Sequence, residues 1–525
     1  MTPVRRPGGG GLADADVDVR LVAPALTGWV VTAAGIWWPV GRALAACCVV
    51  VVAVGALARW AARGSGRRRL PAIGVGVVAV GVVGAGFGLA IGLRADAVGR
   101  HPITAAFGTA APVTVSPAET ALPLGSGRVM FRANLRRLRD DEASGRVVVF
   151  ARASDFGDLM VGQPVRFTAR ISRPGRRDLT VAVLNASGRP TLGTAGAVQR
   201  AAHQVRRRFA AAARNTLPAD QAAMLPALVL GDTTAVTGET GRDFRAAGMT
   251  HLTAVSGANV TIVCAAVLFS ARLIGPRAAV ALAAVALVAF VIVVQPTASV
   301  LRAAVMGAIA LAGMLSSRRR QAIPALAATV LILLAVAPQL AVDVGFALSV
   351  LATAALVVVA PAWSRRLAGR GVPKPLADAL AVACAAHVVT APLVAGISGR
   401  VSLVAIAANL AVAPLIAPIT VLGSAAAAGC LLWPAGAQLL IRFSGPELWW
   451  VLHVARWAAD LPAATVPVPA GVPGVVVVAA GTTSVLVVAT LLWPRRWFRR
   501  ALGVAGAAVV MCALAWSLSN LVTAA

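Results

Sequence analysis

Uncharged apolar runs of about 20 residues recur along this chain, and they constrain its fold more than any other feature. A helix of that length matches the hydrocarbon thickness of a bilayer. The chain is 59% hydrophobic and 13% charged, which excludes a soluble globular protein. The sequence therefore predicts a polytopic α-helical membrane protein with about 11 or 12 spans. We place spans at 21–40, 41–58, 72–93, 252–273, 278–295, 298–315, 323–337, 343–361, 376–397, 472–493 and 501–523.

Residues 402–460 do not fit a simple pattern of spans. Residues 402–433 are long for one span and short for two, and Pro414 and Pro418 interrupt them. This pattern is typical of a broken helix that exposes backbone groups to a substrate, or of a merely kinked span. Residues 435–460 mix charged residues with tryptophans, which favours an amphipathic helix at the membrane interface. A further span is the alternative, so the direction of the chain near residue 430 stays open.

Arginine-rich connections set the orientation of the spans. The connection 59–69 contains five arginines, and the positive-inside rule places such short basic connections in the cytoplasm. The N-terminus is then cytoplasmic, and the three spans within residues 1–95 leave the following polar segment outside the plasma membrane. The net charge is +29, but Lys374 is the only lysine and there is no tyrosine. This skew indicates a compositional bias towards arginine, so net charge alone does not identify a polyanion-binding protein.

Residues 96–195 predict a small external all-β domain. In 128–136 and in 165–171, one set of alternate residues is apolar and the other is rich in arginine, which is the period of a strand with one buried face. Further strands are expected at 146–153 and 179–185, between turns that contain glycine and proline. Residues 196–218 predict a basic amphipathic helix that lies on the membrane surface or surrounds a pore mouth. The membrane domain then occupies residues 219–525.

Arginines of the polar segment are candidates for contacts to a phosphate backbone. From Arg100 to Arg214 there are 19 arginines and 7 acidic residues, a balance that suits a single strand of nucleic acid. Phe131 and Phe167 fall on the apolar faces of their strands, so no base-stacking side chain is evident. A solvated basic surface without a ligand is the alternative. The DNA-binding candidates are Arg128, Arg132, Arg136, Arg166, Arg170, Arg206, Arg207 and Arg208.

Polar residues are also carried into the membrane domain itself. Such groups are costly in hydrocarbon unless they face protein or a water-filled cavity. They therefore mark either a path for a polar substrate or a juxtamembrane helix with a capped end. The candidates for the path are Asp232, Arg245, His251, Ser256, Gly257, Asn259, Arg302, Asp343 and Asn409.

Arg302 is the most costly of these groups. An arginine at the bilayer centre costs about 2.5 to 3.5 kcal/mol on insertion scales, so it should face a partner or a cavity. Asp343 and Asp232 are the candidate partners. Arg302 then either lines the path and contacts passing phosphates or forms an ion pair that packs two helices together.

Five segments resemble the signature of the ComEC family of competence proteins, which are membrane channels for single-stranded DNA. Together they cover most of residues 219–425. The family usually has a histidine where this chain has Asn259, so that position cannot titrate here. The segments are LPALVLGD from Leu225, FRAAGMTHLTAVSG from Phe244, PTASVLRAAVMG from Pro296, VDVGFALSVLATAAL from Val342 and ANLAVAPLIAPITVLG from Ala408.

This resemblance implies an OB-like fold for the external domain and uptake of single-stranded DNA. It also implies an external DNA receptor and a cytoplasmic translocation ATPase as partners, beside the lipid bilayer. A homo-oligomer is a further expectation. The chain shows no P-loop, and its five histidines do not form the HxHxDH pattern of a metallonuclease. We therefore expect no catalytic residue, no metal and no other cofactor.

Two other functions compete with the channel. One is a lipid or small-molecule transporter whose external domain is a recognition module. The other is an intramembrane hydrolase in which His387 activates Ser256, although nothing in the sequence indicates an oxyanion site. The family resemblance, rather than composition or periodicity, favours the channel.

Overall fold

The computed structural model describes residues 18–62, 69–157, 159–315 and 321–492, with 494, 495, 497, 500, 504 and 511. The N-terminal part consists of three helices, and α3 is long enough to carry the chain from the membrane into the next domain. The predicted span at 501–523 lies outside the described residues, apart from 504 and 511. These first helices are α1 (Val22–Trp37), α2 (Gly41–Ala62) and α3 (Arg69–Gly99).

A closed β-barrel follows, with a four-residue helix, α4 (Ala153–Phe156), after its fourth strand. The strand order is β1-β5-β6-β4-β3, and β1 also pairs with β3, which closes the barrel. All pairs along this circuit are antiparallel except β4 with β6. The strands are β1 (Ala110–Pro117), β2 (Leu122–Gly125), β3 (Arg128–Leu138), β4 (Asp141–Arg152), β5 (Val165–Ser172) and β6 (Thr180–Leu192).

The predicted strand faces are confirmed in β3 and β5. The residues predicted to face inward are all buried, and the intervening residues point outward. Phe131, Phe156 and Phe167 pack in the barrel core, with ring centroids 6.5 and 5.2 Å apart along the series. The period of two predicted these faces because successive side chains of a strand point to opposite sides.

The remaining helices form the membrane domain. Among the described residues, seven helices are long and apolar enough to cross a membrane, and five apolar helices are shorter. They occupy nearly all the predicted spans up to residue 492. The helices are α5 (Ala197–Thr216), α6 (Ala219–Leu230), α7 (Gly238–Ala246), α8 (Thr250–Thr253), α9 (Gly257–Ser270), α10 (Pro276–Val294), α11 (Ala298–Leu315), α12 (Ala322–Val336), α13 (Val344–Ala354), α14 (Ala360–Ala368), α15 (Lys374–Ser398), α16 (Ala405–Gly429), α17 (Pro434–Phe443), α18 (Gly445–Asp460) and α19 (Val472–Leu492).

Of the two interpretations of residues 402–433, the broken helix is wrong, and the single span agrees with the structure. Helix α16 is continuous from Ala405 to Gly429 although Pro414 and Pro418 lie inside it. Two short strands, β7 (Arg400–Ser402) and β8 (Thr465–Pro467), pair on either side of the segment from α16 to α18. Since β7 precedes α16 and β8 follows α18, helices α17 and α18 bring the chain back to the level of the start of α16. This pairing fixes the direction of the chain that the sequence left open.

Helix α5 does not lie on the surface as an isolated amphipathic helix. It packs against α6, α10, α16 and α17, and it buries Arg206, Phe209 and Ala213. Its partner α6 is buried at nearly every position from Gln221 to Leu230 and belongs to the largest apolar core. Helix α6, which carries most of the LPALVLGD segment, is therefore a central packing element.

Two hydrogen bonds between described residues join the barrel domain to the membrane helices. The Thr120 hydroxyl donates to Gln295 Oε1 over 2.7 Å, at the connection between α10 and α11. The Arg177 guanidinium donates to the carbonyl of Trp37 at the end of α1 over 2.6 Å. Gln295 has a φ of +77°, an unusual backbone conformation for a residue other than glycine. The barrel is thus attached where the chain turns into α11.

Candidate functional site

The start of α9 is the centre of the candidate site. Ser256 precedes the helix, and its hydroxyl donates to Asn259 Oδ1 over 3.2 Å. The Asn259 amide donates to the carbonyl of Leu228 in α6 over 2.9 Å. Ser256 therefore holds Asn259 instead of accepting from the first amides of α9, which have no side-chain cap. Uncapped amides at a helix start carry partial positive charge.

Arg302 lies against this helix start. It is 7% exposed, and its Nε donates to Ser349 Oγ of α13 over 2.6 Å. Its Nη1 contacts Met306 Sδ at 3.4 Å. A Cβ atom on Gly257 would lie only 2.6 Å from Arg302 Nη2, so glycine is what permits this approach. Ser349 was not among the predicted site residues, although a lone serine in the apolar run of α13 was a usable signal.

The predicted partners of Arg302 are wrong. The Asp343 carboxylate accepts from the Phe346 amide over 2.8 Å and caps α13. Asp232 lies 3.6 Å from Arg206. Among the residues that the structure describes, no carboxylate forms an ion pair with Arg302. A buried cation and an uncapped helix start thus meet without a counter-ion, an arrangement that favours an anion.

A narrow crevice adjoins Asn259. Its polar lining comes from Asn259 and Thr420, both buried, and the rest is aliphatic. Helices α6, α9 and α16 and the residues around α8 contribute the lining side chains, so the crevice lies where these elements meet. The complete lining is Leu228, Leu252, Asn259, Ile416, Ile419 and Thr420.

A second group of predicted path residues lies around the α7–α8 turn. The Asn409 amide donates to the carbonyls of Ala405 at 2.7 Å and Gly248 at 3.3 Å, so it fastens this turn to α16. His251 and Arg245 are exposed. Although the His251 side chain is accessible, desolvation by the surrounding protein lowers its pKa. A hydrogen bond with the Gly248 backbone opposes this shift. The neutral form of His251 is therefore favoured.

Arg206 is not available to DNA, contrary to the prediction. Its Nη1 donates to the carbonyls of Leu230 at 3.0 Å and Val293 at 3.2 Å, and its Nη2 lies 3.6 Å from Asp232. These carbonyls are at the C-terminal ends of α6 and α10, where a cation is favoured. Burial lowers the pKa of Arg206, and Asp232 counteracts that effect. Its neighbours in α5, Arg207 and Arg208, are exposed.

The barrel arginines do not form one surface. Strand β1 separates β3 from β5 on one side, and β4 and β6 separate them on the other. The arginines of β3 and those of β5 therefore leave the barrel in different directions. Two of them have acidic partners, since Arg132 lies 3.4 Å from Glu119 and Arg166 lies 3.5 Å from Asp140.

Arg146 and Phe150 are outward residues of β4 that were not among the predicted site residues. They are partly exposed, and the alternating burial of the strand places them on its outer side. Burial is the main cause that lowers the pKa of Arg146, and repulsion from Arg132 lowers it further. Nearby carboxylates, including Asp343, oppose this shift. The middle of β4 at Arg146 thus lies within electrostatic range of Asp343 in the membrane domain. The alternation of residues 146–152 was the signal that could have identified both residues.

The Arg302 site lies in the part of the chain that matches a known protein family. A family model described as "Competence protein" matches residues 228–497, just over half of the chain. The chain belongs to the competence protein family. Membership of this family indicates a role in DNA uptake during transformation, and with the apolar helices it indicates a membrane protein. Curated proteins and solved structures gave no match.

The matched region of this family member contains α9, α11, α13 and α16 but not the barrel or α5. Every contact of Arg302 described above therefore lies inside the competence region. Ser256, the candidate nucleophile of the hydrolase alternative, bonds Asn259. No hydrogen bond joins Ser256 to His387 of α15 in the described part of the chain, so the geometry gives that alternative no support.

Proposed function

We propose that this competence-family protein forms a membrane channel that carries single-stranded DNA into the cell. The observation that carries the proposal is the position of Arg302, buried at the uncapped start of α9 without an acidic partner among the described residues. A buried cation is costly unless something compensates its charge. Phosphates of a passing strand supply that compensation one after another.

The site is suited to passage rather than to tight retention. Arg302 keeps Nε on Ser349, so only part of its donor capacity is available to a phosphate. One cation and one helix start favour entry of a polyanion, while a single site of this kind does not hold many phosphates at once. Conduction requires this balance between entry and release.

The β-barrel is proposed to lie on the outer side and to receive the strand. Helix α3 joins the arginine-rich connection 59–69 at its start to the barrel at its end. The two regions therefore lie at opposite ends of a helix of 31 residues. Under the positive-inside rule the basic connection is cytoplasmic and the barrel is outside. The circular order β1-β3-β4-β6-β5 is also that expected for the OB arrangement, which supports a role in oligonucleotide binding.

Transport of a polyanion into the cell needs a source of energy. We propose a cytoplasmic ATPase that pulls the entering strand and an external receptor that delivers donor DNA. The net charge of +29 favours contacts with acidic partners and with anionic lipid at the cytoplasmic face. A homo-oligomeric channel is part of the same proposal.

The test is uptake of labelled DNA in a competent bacterium that carries this chain in place of its own channel. Arg302→Ala should reduce the DNase-resistant label inside the cell by at least about tenfold, since charge-assisted hydrogen bonds contribute about 1.5–3 kcal/mol. Arg302→Lys should retain part of the uptake. Arg277→Ala is the matched control, because Arg277 is exposed at the start of α10.

The outcomes separate the possible functions. Normal uptake by Arg302→Ala, at equal amounts of folded protein in the membrane, contradicts a DNA path past Arg302. If the complemented cells take up no DNA but the purified protein moves lipid or a small molecule across vesicles, the transporter function replaces the channel.

A further inference from the structure

The outer side of β3, β4 and β6 carries an apolar patch that the barrel core does not use. Met130, Val148, Phe150 and Val183 are partly exposed and alternate with buried neighbours. None of the four belongs to the core cluster or packs against it. We call these four residues the Phe150 platform.

Strand register brings the four side chains together. Met130 of β3 lies opposite Phe150 of β4, and Val148 of β4 lies opposite Val183 of β6. Side chains two residues apart on one strand share a face, so Val148 and Phe150 are also neighbours. Phe150 thus lies beside Met130 and Val148, while its register partner on β6 is Asn185. Val148 joins Phe150 to Val183, so the apolar surface extends over three strands.

Arginines border this surface at the end where β3 begins. Arg128 and Arg152 are directly opposite each other in the register, and both are exposed. The Arg128 guanidinium lies 5.8 Å from the centre of the Phe150 ring. Neither Arg128 nor Arg152 has an ion-pair partner among the described residues. Like charges opposite each other destabilise a strand pair, so an anion bound between them would relieve this repulsion.

The other end of the platform is also basic. Arg146 pairs in register with Asn134, and Val148 pairs with Arg132. Glu119 is the carboxylate in contact with this end, through the side chain and the backbone amide of Arg132. Cationic groups therefore lie at both ends of the apolar surface. At the Arg146 end, Glu119, Asp178 and Asp343 are close enough to act on the Arg146 pKa.

We propose that the Phe150 platform stacks an unpaired base of single-stranded nucleic acid while Arg128 and Arg152 hold an adjacent phosphate. The inference rests on the proposed function, and it specifies where and in what form the outer domain contacts DNA. A partly exposed aromatic ring between cations fits the two parts of a nucleotide, the base and the phosphate. Bases in a duplex are stacked on one another, so the platform selects unpaired strands.

The position of the platform fits delivery to the membrane domain. Strand β4 leads from Phe150 back to Arg146, which lies within electrostatic range of Asp343 at the start of α13. The barrel also contacts Gln295 just before α11, the helix that carries Arg302. A DNA strand bound at Phe150 is thus held by a barrel that contacts the part of the membrane domain with the proposed path.

The test measures the effect of the bases on binding. The full chain in lipid nanodiscs is titrated with a labelled single-stranded oligonucleotide and with an abasic strand of equal length and charge. The wild type should bind the intact strand about 5 to 150 times more tightly, the range expected for one stacked base. Phe150→Leu should bring this ratio close to 1, and Phe150→Trp should retain it.

Arg128→Ala separates stacking from charge. It should weaken binding of both strands and reduce the dependence of affinity on salt by about one phosphate contact. Phe131 is unsuitable as a control position because it lies in the barrel core. Val148→Ala is the matched control, since it trims the platform beside the ring and should reduce the ratio only slightly.

Two results overturn the inference. One is an unchanged ratio in Phe150→Leu, and the other is equal affinity of the wild type for intact and abasic strands. Neither result bears on the channel, which is judged by uptake in Arg302→Ala. Loss of uptake in Arg302→Ala together with an unchanged ratio in Phe150→Leu would remove the platform and keep the channel.

Discussion

Arg302 and Gly257 approach each other so closely that a Cβ atom on residue 257 would lie 2.6 Å from Arg302 Nη2. The contact joins two helices, α9 and α11, that are separated along the chain by the whole of α10. Because Ser349 holds the other side of the guanidinium at 2.6 Å, Arg302 cannot withdraw without losing a hydrogen bond. The positions of the cation and of the helix start are therefore coupled.

Gly257→Ala should reduce DNA uptake although it removes no polar group. The added methyl displaces the Arg302 guanidinium, and the loss of a charge-assisted hydrogen bond of about 1.5–3 kcal/mol predicts a fall of about 10- to 100-fold. Uptake of labelled DNA in complemented cells measures this effect. Gly307→Ala is the control, since a Cβ there meets only Leu287 Cδ2 at 3.5 Å and Cδ1 at 3.8 Å. Equal uptake by the two variants would show that the position of Arg302 is unimportant.

Arg206→Ala should destabilise the protein rather than weaken DNA binding. The change leaves the Leu230 and Val293 carbonyls without their donor and Asp232 without its cation. Removing one member of a buried pair costs about 3–5 kcal/mol. Thermal unfolding in detergent should show a clearly lower Tm. Arg207→Ala, which changes an exposed neighbour in α5, should leave the Tm unchanged, and an equal Tm for the two variants would contradict the assigned role.

Asp243 should make stability depend on pH. Desolvation is the main cause that raises the pKa of Asp243, and repulsion from Asp460 and Glu239 adds to it. Attraction to Arg456 and Arg242 opposes this shift. An acid with a raised pKa in the folded state binds its proton more tightly there than in the unfolded chain. Its stabilising contribution is complete below the unfolded pKa of about 3.9 and is lost as pH rises through the folded pKa.

Asp243→Asn should therefore be more stable than the wild type at neutral pH, with a difference in Tm that shrinks as the pH falls towards 4. Thermal unfolding from pH 4 to pH 7 measures this difference. Asp141→Asn, at an exposed position of β4, serves as the control. A difference in Tm that grows on acidification would have the wrong sign and would reject the explanation.

Chemical labelling should place the barrel outside and the α14–α15 connection inside. In a cysteine-free background, Ser187→Cys at an exposed position of β6 should react in intact cells with a membrane-impermeant maleimide. Arg370→Cys, in the connection between α14 and α15, should react only after permeabilisation. The reverse pattern would invert the proposed orientation.

Residues with a local period were predictable from the sequence. The buried faces of β3 and β5 followed from alternation, and most membrane helices followed from the length of their apolar runs. The same alternation places Phe150 on the outward face of β4, between buried neighbours. The continuity of α16 through Pro414 and Pro418 was not predictable, because the neighbouring helices decide whether a proline breaks a buried helix.

The sequence by itself determined which segments are helices or strands, since hydrophobic length and period are properties of neighbouring residues. It also identified Arg302 as a charged residue that needs a partner or a cavity, whereas it assigned Arg206 to DNA binding. Only the tertiary structure decided that Arg206 binds the ends of α6 and α10 and that Arg302 meets Ser349 and Gly257. The partner of a buried charge depends on which distant helices pack beside it, and that arrangement is set by the whole apolar core.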